Sequence, residues 1–293
     1  MAVERVPLSR LEGKGVRFRY RRFMDRAGLV VVALCAGLTV TLLLLILGYV
    51  VYQGGSSINW TFVTALPKPA GEPGGGIANA IVGSALIVGL AALLAVPIGV
   101  GAAIFLNEFP SFWLGRAVRF LADVLTAVPS IVVGLAVYAL VVLPMRTFSG
   151  FAGSVAYAFI MIPIILITAQ EALRLVPTTL REASLALGVP RWKTVLRIVL
   201  PTSSRALLTG VVLAVARALG ETAPMLFTAF GNSFWNLNPF KATATIPLVI
   251  YRYAIGPYDD WHRQAWAASF VLIVVVLLTS ILTRLVLRRE FED

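Results

Sequence analysis

The chain has 293 residues, of which 59% are hydrophobic and only 13% are charged, about half the charged share of an ordinary soluble domain. A water-soluble core cannot bury so much apolar sequence, so the composition excludes a soluble protein and indicates an integral membrane protein. The net charge of +11 does not indicate nucleic-acid binding, because the basic residues lie at the ends of apolar segments, where membrane topology places them.

The first 26 residues form a basic tail that precedes the first apolar segment. Eight lysines and arginines fall within it, and contact with anionic membrane lipid is the interaction that this composition favours. The apolar segment 27–52 is too long for the core of a signal peptide and has no clear cleavage site, which predicts a first membrane span. We therefore expect residues 1–26 to be a cytoplasmic tail.

Five further apolar segments follow, each with at least the approximately 20 residues that a bilayer requires. They are 77–106, 118–143, 152–172, 204–229 and 266–287. Together the segments predict an all-α bundle of six spans over residues 27–289. With alternating orientation, nineteen basic residues fall on one side of the membrane and five on the other. This bias predicts a multi-pass protein of the plasma membrane with both termini in the cytoplasm.

Two polar positions of the third predicted span have two interpretations each. Asp123 follows Arg119 by four residues, so we expect an ion pair at the inner interface in preference to a contact with substrate. Ser130, next to Pro129, would either complete a hydrogen bond of a broken helix or line a gate.

A short polar hairpin at 178–201 separates two long apolar segments. Thr179 and Glu182 have the spacing of a capping box, which predicts a helix that begins at Leu180. Glu182 is then expected to cap and orient the positive end of this helix. Gly188 is expected to close the helix in the left-handed conformation.

The second half of the hairpin is also predicted to be helical. Pro190 discourages continuation of the first helix, and a second helix is expected from Arg191 to Val199, where Pro201 interrupts it. On the first helix, Leu180, Ala183 and Leu187 lie on one side and form an apolar ridge of the kind that sits in a groove of another protein.

The fifth predicted span contains a charged pair, Arg217 and Glu221. Arg217 lies twelve residues beyond Arg205 at the inner interface, about 18 Å into the hydrocarbon layer, where a guanidinium costs at least about 2.5 kcal/mol. Glu221 is four residues further on and within pairing reach, and Pro224 weakens the helix beside the pair. Either the pair is structural, or Arg217 attracts a passing anion and Glu221 limits how tightly the anion is held.

The hairpin resembles the EAA loop of ABC importer permeases. The matching pattern is Glu-Ala-Ser, three residues, Gly, nine residues and Ile-x-Leu-Pro, read from Glu182 to Pro201. The only departure is Ser184, where the family carries a second alanine, a change of one hydroxyl that a helix tolerates. The resemblance implies that a cytoplasmic ATPase receives Glu182, Ala183, Ser184, Leu187 and Gly188.

Two further stretches, 123–135 and 217–229, resemble PstA-type permeases of the phosphate-specific transport system, and the similarity covers about residues 75–287. It implies an importer with a second, PstC-like permease, two PstB-like ATPase subunits that bind ATP and Mg²⁺, and an external PstS-like phosphate-binding lipoprotein. In that family the intramembrane arginine and glutamate have been connected with phosphate passage, and they match Arg217 and Glu221. Thr222 and Ser130 are the other candidate pathway residues.

The sequence reveals no nucleotide-binding motif, disulfide or metal site in this chain. It has no GxxxxGK[ST] motif, so a transporter of this kind must take its energy from a partner ATPase. The single Cys35 excludes an internal disulfide, and the lone His262 is not at metal-ligand spacing from other donors.

Three other functions remain open at this point. A permease for sulfate or molybdate would share the architecture. An ion-coupled secondary transporter would use Arg217 and Glu221 as a proton relay, but it needs no ATPase-docking loop. A membrane enzyme would need clustered histidines or carboxylates at one interface, which the chain lacks.

Overall fold

The computed structural model describes residues 16–109 and 113–289. Every regular element in these ranges is a helix, accompanied by two isolated β-bridges. The helices are α1 (Val16–Gly55), α2 (Trp60–Thr64), α3 (Ala78–Glu108), α4 (Trp113–Ala127), α5 (Ser130–Met145), α6 (Gly150–Arg174), α7 (Thr178–Ala186), α8 (Arg191–Leu219), α9 (Ala223–Thr228), α10 (Ile246–Ala254) and α11 (Asp259–Arg289).

The chain divides into two compact units between Tyr52 and Gln53, near the end of α1. Nearly all of the first helix therefore lies in the first unit. This helix is 40 residues long, and its stretch Arg19–Gly55 is long and apolar enough to cross a membrane. The helix begins inside the predicted basic tail, so residues 16–26 continue directly into the first span. The remainder of that tail lies outside the described residues.

The core of the second unit is built on the neighbouring helices α3 and α6, which run in the same direction: Ile87 lies near Gly153, and Gly99 lies near Ile165. Helices α8 and α9 pack against this pair. Small side chains dominate their contact, which allows the backbones to approach closely as in other membrane bundles. A Cβ atom at Gly99 of α3 would lie only 2.8 Å from Cγ2 of Ile165 on α6. The buried core residues include Ile87, Ala91, Ala95, Ala152, Ala156, Tyr157, Met161, Ala214, Ala218 and Met225.

The third predicted span is not one continuous helix. Over 118–143 the chain forms α4 and α5, which are bent by 107° at the break between them. Pro129 lies in the break, in an extended conformation with φ −57° and ψ 136°, and it disfavours a helical residue before it. The expected ion pair between Arg119 and Asp123 is also wrong, because none of the ion pairs among the described residues joins these two exposed side chains.

The fifth predicted span starts earlier and ends earlier than 204–229. Helix α8 runs without interruption from Arg191 through Pro201 to Leu219. The turn before the proline is π-helical, with the N–H of Leu200 donating to the carbonyl of Val195. This wider turn moves the preceding carbonyls away from the proline ring, which explains why the predicted interruption at Pro201 is wrong.

A second π-helical turn has the same local sequence. Val142-Leu143-Pro144 in α5 repeats the Val-Leu-Pro of 199–201, and the N–H of Leu143 donates to the carbonyl of Tyr138. In total, five helices of the described chain are long and apolar enough to span a membrane, and the bent pair α4 and α5 makes a sixth crossing if it counts as one span. The all-α, membrane-spanning class predicted from the sequence is confirmed.

Candidate functional site

The predicted hairpin at 178–201 is present, but its first helix begins differently from the prediction. Helix α7 starts at Thr178 after Pro177, and no side chain caps it. The predicted capping box is therefore wrong: Thr179 lies inside the helix, and Glu182 falls beyond the first turn, where it cannot act as a cap. Proline fits the position before a helix because its φ is already close to the required value.

The end of α7 follows the prediction. Gly188 has φ +75°, the left-handed conformation that closes a helix and that glycine adopts at the lowest cost. The N–H of Val189 then donates to the carbonyl of Ser184 at 3.2 Å, and Pro190 precedes the second helix of the hairpin. Gly188 thus reverses the chain between α7 and α8.

Ser184, the residue that departs from the EAA pattern, joins the two arms of the hairpin. It is only 4% exposed, and its Oγ lies 2.8 Å from Oγ1 of Thr194 at the start of α8. The sequence predicted only that the helix would tolerate this hydroxyl. Its partner lies ten residues away, beyond a turn, so no helical spacing could reveal the contact.

Replacing Ser184 with alanine is expected to loosen the hairpin without abolishing its docking. One neutral hydrogen bond contributes about 1 kcal/mol, so amides of 178–201 should exchange hydrogen about fivefold faster in the variant. Mass-spectrometric hydrogen exchange measures this change. Ser204→Ala is the matched control, because Oγ of Ser204 donates only to the nearby carbonyl of Pro201. Equal exchange in both variants would show that the contact with Thr194 contributes nothing.

The apolar ridge of α7 is exposed in this chain. Leu187 is 83% exposed and Leu180 is 42% exposed, and Ala183 between them is exposed as well. Leu175, which follows α6 and was not part of the predicted ridge, is 80% exposed. These residues form the unpartnered apolar surface that a groove on another protein would cover.

The same end of the bundle gathers the loops predicted to lie on the inner side. A cavity of about 410 Å³ separates the hairpin from the ends of α3 and α6. It is lined by Asn107, Glu108, Leu173, Arg174, Val176, Thr178, Arg181, Leu185, Arg191, Thr194 and Val195. The second arm of the hairpin is the start of α8, so this arm and Arg217 belong to one continuous helix.

The intramembrane pair is formed at the other end of α8. Nη2 of Arg217 lies 3.4 Å from Oε1 of Glu221, although the helix stops at Leu219 and Glu221 lies beyond it. The hydroxyl of Tyr157 on α6 donates to the backbone carbonyl of Glu221 at 2.7 Å and holds this non-helical stretch. The helix resumes at Ala223, so the chain beside the pair is broken, where the sequence predicted a weakened but continuous span.

The two partners of the pair have different surroundings. The side chain of Glu221 is 20% exposed, whereas that of Arg217 is 59% exposed in the isolated chain. Arg217 and Ser130 line the same small cavity of about 90 Å³, together with Thr126 and Pro163. The structure therefore places Ser130 and Arg217 at the same cavity. Glu221 and Thr222 follow Arg217 closely in the sequence, but they do not line this cavity.

Two broken helices meet beside this cavity. Helix α5 begins at Ser130 after the break at Pro129, and α9 begins after the break that contains Glu221. They pack so closely that a Cβ atom at Gly134 would lie 2.7 Å from Cα of Pro224. Non-helical backbone at membrane depth is tolerated where it is buried in protein or lines a water-filled passage.

A larger cavity of about 460 Å³ lies among the segments predicted to face outward. Lys68 and Arg252 contribute its charges, and aromatic side chains contribute much of its wall, among them Phe234, Tyr253 and Trp261. Burial raises the pKa of Tyr253, which keeps the phenol neutral, with Arg252 opposing and Asp260 adding to the shift. Aromatic residues of the loop 230–240 are exposed, among them Phe234, Trp235 and Phe240.

An all-helical membrane bundle with an exposed hairpin at one end and broken helices around a charged pair at depth defines the transmembrane subunit of an importer-type ABC transporter. Solved structures support this fold. An inward-facing MetNI methionine ABC transporter aligns with a TM-score of 0.63 at 17% identity, covering 73% of this chain and 95% of its own. A bacterial alginate ABC transporter aligns with a TM-score of 0.65 at 17% identity, covering 92% and 97%.

The chain belongs to the family described as binding-protein-dependent transport system inner membrane components, whose model matches residues 95–291. The phosphate transport system permease protein PstA of Yersinia pestis is 38% identical over 96% of this chain and 95% of its own length. The protein of the same name from Xylella fastidiosa (strain Temecula1) is 40% identical over 93% and 96%, and that of Haemophilus influenzae is 45% identical over 74% and 77%. The resemblance seen in the sequence is confirmed, and the family is one of transport components, as expected for a chain without its own ATPase motif.

Proposed function

We propose that this chain is a transmembrane permease subunit of an ATP-driven phosphate importer and that it forms the translocation pathway with a second permease subunit. Relatives named for phosphate transport align over nearly the whole chain. The observation that carries the proposal is the position of Arg217: a guanidinium 59% exposed, at a depth where contact with lipid is costly. A second subunit would cover this guanidinium, and a passage for an anion would place it in contact with polar groups instead of lipid.

The surfaces of the chain suit the partners expected of such an importer. The apolar ridge of α7 would sit in a groove of a PstB-like ATPase, of which the importer would have two. The outer cavity and aromatic loop would face the external PstS-like binding protein, and the Arg217 side of α8 would face the PstC-like permease. ATP and Mg²⁺ would bind to the ATPases, and this chain would perform no bond chemistry.

Alternating access would use the continuity of α8. A hairpin that moves with the closing ATPases carries the start of α8 with it, and Arg217 lies in the last turn of the same helix. Displacement of the hairpin would thereby be carried along one helix to the charged residue. In this scheme Arg217 attracts the anion, and Glu221 keeps it from being held too tightly to leave.

Radiolabelled phosphate uptake into vesicles with the reconstituted complex tests this function. We expect ATP-dependent uptake that excess unlabelled phosphate suppresses and that sulfate or molybdate at the same concentration leaves unchanged. Competition by sulfate or molybdate as strong as that by phosphate would indicate a permease for another oxyanion. Uptake driven by a proton or sodium gradient without ATP would instead indicate a secondary transporter.

A further inference from the structure

Arg181 differs from its neighbours on the docking helix. Leu180 and Glu182 are exposed, but the side chain of Arg181 is only 20% exposed and makes two contacts with the membrane bundle. Nη1 donates to Oε1 of Glu108, the last residue of α3. Nη2 donates to the backbone carbonyl of Leu173 at 3.0 Å, in the last turn of α6.

Both contacts meet unsatisfied groups at helix ends. The carbonyl of Leu173 is among the last four of α6, which have no partner within their own helix. A guanidinium beside it satisfies that carbonyl and interacts favourably with the negative end of the helix dipole. Glu108, whose side chain is 18% exposed, carries a negative charge at the negative end of α3, so it needs a cation nearby.

Apolar packing reaches only the linker before α7: Val176 is buried in one cluster with Ala103 of α3 and Leu173 of α6, and no residue of α7 belongs to that cluster. A cavity of about 410 Å³ lies between α7 and the ends of α3 and α6. Arg181 crosses this gap with hydrogen bonds to both helices. A second charged pair at this end joins Arg174 to Glu171 within α6 alone and is exposed.

We propose that Arg181 is the positioning residue that transmits displacement of the docking hairpin to α3 and α6. The inference rests on the proposed function, because it concerns how a bound ATPase moves the spans. The second arm of the hairpin moves α8 through the continuous helix, whereas α7, the first arm, is joined to α6 only by the linker 175–177. Arg181 adds a direct connection from α7 to α3 and α6, so that α3, α6 and α8 move together when the hairpin moves.

The test compares coupling in reconstituted complexes that carry Arg181→Gln, Arg181→Lys or Glu108→Gln. Both glutamine variants should still bind the ATPase and hydrolyse ATP, but transport at least about tenfold less phosphate per ATP, as expected for the loss of charge-assisted hydrogen bonds. Arg181→Lys keeps the positive charge opposite Glu108 but loses the planar two-sided contact. It should therefore recover part of the coupling.

Arg174→Gln is the matched control, since it removes an equal charge from an exposed pair at the rim of the same cavity, and such pairs contribute little. Its transport per ATP should equal that of the unmodified complex. Normal coupling in both glutamine variants would overturn the proposal, and so would loss of ATPase binding in both, because the pair would then only maintain the fold. Failure of the unmodified complex to transport phosphate would instead count against the proposed function.

Discussion

Replacing Arg217 with glutamine is expected to reduce phosphate uptake strongly while the complex still assembles. The side chain lines the cavity that also contains Ser130, and a hydrogen bond from a charged donor to an anion contributes about 1.5–3 kcal/mol. Its loss would slow transport roughly 10- to 150-fold. Glutamine is neutral and costs less to place at membrane depth than an arginine, so assembly should not suffer. Uptake of labelled phosphate and co-purification of the subunits are the two measurements.

Arg116→Gln is the control for Arg217→Gln, because Arg116 is an exposed arginine of α4 and its loss changes the net charge equally. Its uptake should remain near that of the unmodified complex. Glu221→Gln separates the two interpretations of the pair. If the pair is structural, both Arg217→Gln and Glu221→Gln should disrupt assembly. Intact complexes that differ in transport would favour a pathway role.

Replacing Gly188 with valine is expected to uncouple ATP hydrolysis from phosphate uptake. The residue has φ +75°, a conformation that costs an ordinary L-residue about 1–2 kcal/mol and a β-branched residue more. A Cβ atom at this position would meet nothing within 4 Å in the described chain, so the penalty is one of backbone conformation. We expect the turn to rearrange and the apolar ridge of α7 to lose its orientation.

Gly188→Asn provides the comparison, because asparagine tolerates the left-handed conformation while adding a larger side chain than alanine. Coupled uptake should survive in the asparagine variant and fall in the valine variant, measured as phosphate transported per ATP hydrolysed. Undiminished uptake with valine would contradict a docking role for this turn. Loss of coupling in both variants would show that space at the ATPase surface, and not the conformation of Gly188, is the limiting factor.

The features that the sequence predicted well depend on neighbouring residues. Long apolar segments identify helices that cross a membrane, and a glycine followed by proline two residues later identifies the turn at Gly188. The spacing of Arg217 and Glu221 brought the pair within reach even though the helix ends between them. The resemblance to importer permeases likewise rests on short contiguous patterns.

The features that the sequence missed depend on distant residues or on competing local effects. Glu108 and Arg181 are 73 positions apart, so only the packed bundle brings them together. Proline had opposite outcomes at two positions: Pro129 separates two helices, whereas Pro201 is accommodated by a wider turn before it. A proline alone predicts a disturbance of the helix, and the surrounding tertiary structure decides which form it takes.

The π-helical turn at Val195–Val199 also sets the direction in which side chains at the far end of α8 point. Such a turn holds one residue more than the α-helical turn that it replaces, and each α-helical residue rotates the chain by about 100°. In a regular helix of the same sequence, Arg217 would emerge more than a quarter of a revolution away from its present direction. The angular phase between the hairpin end of α8 and its guanidinium is thus set by one additional residue in the turn beside Pro201.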